Sequence, residues 1–382
     1  MFKVAIVSTH PIQYNSPLFR ELAKVENIIV KVFFTWEQSQ EKVFDPKFKR
    51  EIKWDIPLLD GFEVVFLKNT AKDPGSHHFF GIQNPDAVHE IDRFCPDALL
   101  VYGWSFISHL NILRHFKNKI PIFFRGDSNL LDEVPGPKQI LRRLLLKKIY
   151  KYVDYAFFVG ENNKNYYLKH GLKENQLFWV PHTVDNKRFA ESSVDTVLAR
   201  KNLGLPLEGI NILFTGKFER KKNPLLLLRA FNRIQRKDIN LIFVGNGELE
   251  EELKQGAESM ENICFLPFQN QSHMPLVYSS ADIVVLPSSY NETWGLIINE
   301  AMACGKAVVV SNKVGCGVDL VRSGENGYIF QQNDAEDLAE KIVKCINSNN
   351  FEKFGAASEA IINKWSIDVA VDLMVKAFTK GR

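Results

Sequence analysis

Pro287-Ser288-Ser289-Tyr290-Asn291-Glu292-Thr293-Trp294-Gly295-Leu296-Ile297-Ile298-Asn299-Glu300-Ala301-Met302-Ala303-Cys304-Gly305 decides how this chain reads. The apolar run before it, 283–286, predicts a buried strand, and the residues up to Glu292 read as a polar loop. Gly295 then opens a helix and Gly305 closes it, glycine being the residue that tolerates the left-handed backbone beyond a helix C-terminus. The first-turn N–H groups and the positive dipole end of such a helix form a ready anion site. Glu292 falls in the loop and Glu300 over a turn into the helix, so their spacing does not make a tight carboxylate pair. They would reach different parts of an elongated ligand. By residue type alone, Glu292 reads equally as a dipole partner of the helix and Glu300 as a solvated helical residue.

Outward from this stretch, short apolar runs alternate with helical patterns. Strands are expected at 3–7, 29–34, 63–67, 98–102, 121–124, 155–159 and 177–180. After a polar, irregular stretch at 182–193, the series restarts at 211–215 and continues at 241–244, 263–266, 283–286, 307–310 and 328–330. The rhythm predicts an α/β protein of two doubly wound, Rossmann-like domains facing across a cleft, with ligands beyond the C-terminal ends of the strands. The expected division is 1–185 for an acceptor-binding domain and 186–364 for a donor-binding domain. A C-terminal helix, 365–382, is expected to pack back on the first domain.

The 382 residues suffice for two cores, and 45% hydrophobic with 24% charged residues is a globular composition. A net charge of +3 demands no nucleic-acid partner. Five cysteines without CxxC spacing argue against a disulfide framework or zinc site and suit a reducing cytoplasm. The N-terminal apolar run is too short for a signal h-region, and nothing approaches the roughly 18 apolar residues of a membrane span.

Other strand ends carry chemistry of the same kind. Phe214-Thr215-Gly216-Lys217-Phe218-Glu219-Arg220-Lys221-Lys222-Asn223-Pro224 is a strand, a glycine turn and a basic cluster entering a helix. Its cations would face an anionic leaving group, although a solvated basic loop is the commoner reading of such a run. Val244-Gly245-Asn246-Gly247-Glu248 follows another strand, where small residues admit close approach to the backbone. Phe265-Leu266-Pro267-Phe268 closes a third.

Taken together, these segments resemble the family-4 retaining glycosyltransferases of GT-B fold, with matches over roughly residues 175–365. In that family two glutamates separated by seven residues flank an aromatic turn followed by Glu-Ala-Met-Ala-x-Gly, as at Glu300–Gly305 here. The departure is Thr293-Trp294-Gly295 in place of Gly-Phe-Gly. The resemblance implies that Glu292 contacts the donor sugar, Glu300 the ribose hydroxyls, and the N–H groups of Gly295 and Leu296 the diphosphate. Lys217 and Lys222 occupy the family's two basic positions, lysine at 217 losing arginine's planar fork. Gly216, Gly245 and Gly247 would admit the donor, Leu266 and Phe268 would bracket its base, and Thr293 and Trp294 would line the turn. Val180-Pro181-His182-Thr183-Val184-Asp185 resembles the family's interdomain segment.

The first half matches less well. Ser8-Thr9-His10-Pro11 lacks the glycine pair often found there, and the strand at 121–124 leads into Arg125-Gly126-Asp127-Ser128 where a histidine is usual. Arg125, Asp127 and His10 are therefore the catalytic-side candidates, each readable also as a turn cap or a hydrogen-bonded loop residue. The resemblance implies sugar transfer with retention from a nucleotide-diphosphate sugar, a UDP-sugar favoured over a GDP-sugar. The acceptor is expected to be a sugar or lipid-linked sugar in cell-surface glycan synthesis. No cofactor is expected, and with no Asp-x-Asp motif, no metal. Residues 136–152 hold Lys138, Arg142, Arg143, Lys147, Lys148 and Lys151 and no acid. On a helical wheel Leu141, Leu145, Ile149 and Tyr152 share one face opposite a basic stripe. That pattern fits either a surface helix with its apolar face in the core or contact with an anionic membrane. The protein is expected in the cytoplasm or on the inner face of its membrane. Two other readings share the architecture: a sugar-nucleotide 2-epimerase and a non-catalytic donor-binding subunit.

Overall fold

Residues 1–36, 43–45, 50–348 and 350–380 are described in the computed structural model. The chain divides into two compact units: Met1–Val43, Ile56–His182 and Ile367–Arg382 form the first, Phe44–Asp55 and Thr183–Ser366 the second.

The first half of the chain forms strands β1 (Phe2–Ser8), β2 (Ile28–Phe34), β3 (Val43–Asp45), β4 (Arg50–Ile52), β5 (Glu63–Phe66), β6 (Ala98–Tyr102), β7 (Ile122–Arg125), β8 (Tyr155–Phe158) and β9 (Leu177–Trp179). Seven of them form a parallel sheet in the order β5-β2-β1-β6-β7-β8-β9, and β3 pairs with β4 separately. In β1, Val4 to Val7 are all fully buried, because helices cover both faces of the sheet. Ser16–Ala23 and Ile367–Lys380 pack on one face through Leu18, Phe19, Val371, Met374 and Phe378. Ala87–Phe94 and Ile107–Phe116 cover the other with Ile91, Ile112 and Leu113. The Phe378 ring stands edge-on to Phe123 on β7 at 4.9 Å, so the C-terminal helix completes this core.

The second unit holds β10 (Ile210–Thr215), β11 (Ile239–Val244), β12 (Ile263–Leu266), β13 (Ile283–Leu286), β14 (Ala307–Ser311) and β15 (Gly327–Phe330). All pairs are parallel, in the order β12-β11-β10-β13-β14-β15. The chain builds outward from β10 to β12, then jumps back to β13 and builds the other way. The strand order therefore reverses between β10 and β13, and the loops leaving those two strands diverge there. Helices Pro224–Arg233 and Ala335–Asn347 cover one face. Gly327 has room only because it lacks a side chain: a Cβ there would lie 1.8 Å from the carbonyl oxygen of Val308.

Every strand expected from sequence is present, with ends moved by a residue or two. Two local expectations hold only in part. The stretch 182–193 is not wholly irregular, since Asn186–Glu191 is helical: the Asp185 carboxylate caps it at Arg188 N (3.1 Å) and Phe189 is buried beneath it. The basic helix runs Pro137–Ile149 and ends in a 3-10 turn, and its apolar side is the expected one only in part. Ile149 is buried as expected, and Leu146 and Tyr150 enter a small core with Phe124, Tyr166 and Tyr167, whereas Leu141 and Leu145 face outward. The segment has more apolar residues than that core can take, so an arc drawn on a wheel takes in two leucines that stay outside. Among the described residues no helix is long and apolar enough to cross a membrane.

Candidate functional site

Four loops at the C-terminal edge of the second sheet are joined backbone to backbone. Gly216 N–H donates to Val244 O (3.0 Å), Phe218 N–H to Asn246 O (3.0 Å) and Gly245 N–H to Leu266 O (3.0 Å). Ser289 N–H donates to Lys221 O (2.9 Å), closing the gap between the loops after β10 and β13. The glycines are required by this crowding. A Cβ on Gly245, whose φ is +141°, would fall 2.0 Å from Gly216 O, and one on Gly247 would fall 2.5 Å from Phe218 O. Asn246 Oδ1 accepts from Phe268 N–H (2.9 Å), fixing the loop that carries Leu266 and Phe268.

Gly295 is the turn before helix Leu296–Ala303 and has a left-handed backbone at φ +100°. A Cβ there would meet Leu286 and Val314 at 2.9 Å. The segment in front of it is held by a parallel bridge between Glu292 and Val314 and by Cys316 N–H donating to Trp294 O (2.9 Å). Trp294, which replaces the smaller aromatic of the family pattern, is absorbed without disturbance. Its indole N–H donates to Asn299 Oδ1 (2.9 Å), and its ring packs on Trp365 with centroids 5.3 Å apart. Thr293 lies between it and Glu292.

Glu292 and Lys222 come together at the strand reversal. The carboxylate Oε2 accepts from Lys222 Nζ (2.5 Å) and from Ser288 Oγ (2.8 Å). Burial alone would raise the pKa of Glu292; the Lys222 ammonium, with its hydrogen bond, and the Ser288 hydroxyl bring it below the ordinary carboxylate value. Glu300 is deeper, and its Oε2 accepts the hydroxyl of fully buried Tyr278 (2.6 Å). Lys217 stands at the start of the same basic loop. The arrangement places a carboxylate–ammonium pair, a second carboxylate and a helix N-terminus along one sheet edge, a set of groups suited to an elongated polar anion.

Tyr278 and Ser288 did not emerge from sequence reasoning. Tyr278 sits in a short helix, Met274–Ser279, with no motif to mark it. Ser288 lies inside the deciding stretch, where proximity to Glu292 was its only signal.

Arg125, Asp127 and His10 lie in the first unit. Arg125, at the end of β7, is buried and spends two guanidinium nitrogens on the carbonyls of Val180 (3.1 Å) and Pro181 (2.8 Å). It is a strut between β7 and the segment after β9. Asp127 follows in a loop whose Gly126 O accepts from Tyr167 Oη (2.9 Å). His10 follows β1, beside the point where the first sheet's order reverses between β1 and β6. Its ring stands edge-on to Trp36 at 6.2 Å, and burial lowers its pKa.

Residues 196–360 match the model of the family described as Glycosyl transferases group 1. Among curated proteins, a D-inositol 3-phosphate glycosyltransferase of Geodermatophilus obscurus is 30% identical over 224 residues, 55% of this chain and 48% of that protein. The chain spans about half the length of the curated relatives it matches. Among solved structures, a glycosyltransferase from Rickettsia africae superposes with a TM-score of 0.76 at 15% identity, covering 100% of this chain and 98% of that one. Anabaena Alr3699/HepE in complex with UDP and glucose gives 0.73 at 15% identity and covers 100% of both chains. The fold, two parallel α/β sheets with alternating helices, is that of the GT-B glycosyltransferases. The group 1 segment includes all four joined loops of the second sheet edge.

Proposed function

We propose that the protein is a retaining glycosyltransferase that moves a sugar from a nucleotide-diphosphate sugar to a hydroxyl acceptor. The observation that carries this reading is the Lys222–Glu292 pair at the reversal of the second sheet, beside the helix that opens at Gly295. In this reading Glu292 holds the donor sugar and Glu300 the ribose. Leu266 and Phe268 bracket the base, and Gly216, Gly245 and Gly247 give the donor room. Lys217, Lys222 and the Gly295–Leu296 amides take the charge that develops on the leaving diphosphate. The bond from the anomeric carbon to the diphosphate oxygen breaks while the acceptor oxygen bonds to the same face of that carbon. The acceptor's proton passes to the departing phosphate. His10 and Asp127 are the acceptor-side groups, and Arg125 positions the loop that bears Asp127.

The family match and the UDP and glucose in the Anabaena relative support a UDP-sugar donor. We assign no cofactor and no metal, since lysines and helix amides supply the positive charge. The acceptor in this reading is a sugar, free or lipid-linked, of a cell-surface glycan.

The test is a thermal-shift screen with UDP, GDP, ADP and their sugar conjugates, followed by transfer assays with and without EDTA. A nucleotide that raises the melting temperature by mass action identifies the base. Transfer undiminished in EDTA, with retained configuration in the product, supports the reading. Epimerised donor formed without acceptor, or binding without turnover, would replace it.

A further inference from the structure

The helix Pro137–Ile149 has its cations and its outward apolar face in an unusual combination. Ile140, Leu141, Leu144 and Leu145 are 64%, 69%, 61% and 47% exposed, although each is a large aliphatic side chain. Scattered exposed leucines need no explanation, but four within two turns of one helix form a patch. The patch runs directly into positive charge. Lys147 and Lys148 lie three and four residues beyond Leu144, the spacing of surface neighbours on a helix. Lys147 and Lys151 then line a cavity of about 710 Å³ together with Lys117, Asp154, Asn175 and Gln176. Lys117 is paired with Asp154, while Lys147 and Lys151 have no carboxylate partner among the described residues.

We propose that this is a phospholipid site. The lysine-lined cavity receives the phosphate of an anionic headgroup, and the aliphatic stripe enters the acyl boundary of the same leaflet. The charge selects this occupant. The segment carries Lys138, Arg142, Arg143, Lys147, Lys148 and Lys151 without an acid, so a second copy of the chain docked on its own patch would set like charges against each other. An anionic leaflet is complementary to both halves at once, offering phosphate to the ammonium groups and hydrocarbon to the leucines. The stripe that enters the leaflet shares Leu141 and Leu145 with the arc that a helical wheel selects, while Ile149, at the end of that arc, is buried. The inference rests on the transferase reading only for its purpose, which is to bring the enzyme to a lipid-linked acceptor.

The full chain is floated with phosphatidylcholine vesicles and with vesicles containing 30 mol% phosphatidylglycerol, without donor, at about 50 mM salt. The expected result is at least a tenfold preference for the anionic vesicles. Leu144→Gln with Leu145→Gln should lower binding to them about tenfold, and Lys147→Gln with Lys151→Gln should remove most of the preference. These side chains are exposed or line an open cavity, and unchanged melting temperatures would show that the variants fold. Equal binding to both vesicles, or binding indifferent to both double variants, overturns the proposal. So does displacement by millimolar glycerol phosphate, which would mark a soluble phosphate as the ligand. Concentration-dependent dimerisation abolished by the leucine variant would overturn it in favour of self-association. Because no donor or acceptor is present, a negative result leaves the transfer assay to be judged on its own.

Discussion

Lys222 and Glu292, 70 residues apart in sequence, form an ion pair of 2.5 Å across the strand reversal of the second sheet. Both side chains are nearly buried, at 13% and 10% exposure. Removing one partner leaves the other as an uncompensated charge in poor solvent. Lys222→Met should therefore cost about 2–3 kcal/mol in urea unfolding, and adding Glu292→Gln should recover most of it. Transfer should fall by about 100-fold or more in either single variant and stay low in the double. A double variant no more stable than the singles would show that the pair is not coupled.

The same pair has a pH signature. With its pKa below the ordinary 4.5, Glu292 binds a proton more readily in the unfolded chain. Its contribution is complete above 4.5 and is lost as pH falls through the lower folded value. Between pH 5 and 7 Glu292→Gln should show no change in pH slope relative to wild type; a difference appearing there instead would contradict the assignment.

Tyr278 should position Glu300 rather than touch the donor sugar. Losing its hydroxyl in Tyr278→Phe removes a 2.6 Å hydrogen bond to a buried carboxylate, worth roughly 1–2 kcal/mol. The expected outcome is a fivefold to twentyfold weaker nucleotide Kd with kcat little changed. Discrimination between UDP and 2′-deoxy-UDP should shrink in parallel. Undiminished ribose discrimination would assign Tyr278 to the core alone.

His109 gives the first unit an acid weakness. The ring is fully buried, donates from Nδ1 to Gly103 O (3.2 Å) and accepts the Thr35 hydroxyl at Nε2 (3.0 Å). Burial lowers its pKa from 6.5 to about 4. A base depressed in the folded state takes its proton first in the unfolded one, so stability is full above 6.5 and falls toward pH 4, by up to about 3 kcal/mol. His109→Gln should flatten that slope, measured by urea midpoint across pH 7 to 4. An unchanged slope would place the acid sensitivity elsewhere.

Gly295→Ala should damage the site more than the fold. The left-handed backbone and the 2.9 Å contacts with Leu286 and Val314 predict a loss of about 1–3 kcal/mol. Nucleotide binding should fall below detection because the helix start must move. Retained thermal shift with UDP in a folded Gly295→Ala variant would remove this helix from the donor site.

What could be read from sequence follows from where the constraints are local. β13 and β14 are buried on both faces, so residues 283–286 and 307–310 are continuous apolar runs that announce themselves. Glu292, Gly295 and Glu300 fall within one strand–loop–helix unit, whose order fixes their placement. Tyr278 belongs to a different helix and meets Glu300 only through packing, for which a linear pattern holds no sign. Phe44–Asp55 joining the second unit was equally hidden: Asn270 Nδ2 donates to Lys53 O (2.7 Å) across a separation of 217 residues. The face of helix Pro137–Ile149 is legible only in part, at Ile149 but not at Leu141 and Leu145, because periodicity ranks apolar arcs without knowing how much core awaits them.

The path of the chain also sets an order of assembly. Thr183–Ser366 can form its sheet from one continuous run, whereas the first sheet lacks the cover supplied by Val371, Met374 and Phe378. That cover is synthesised only after the whole of 183–366. At about 5–20 residues per second, the first sheet's apolar face waits on the order of 10 s on the ribosome after its own strands are made. During that interval the earliest-made half is the one with an uncovered apolar face, and a stop codon near residue 366 would leave it so.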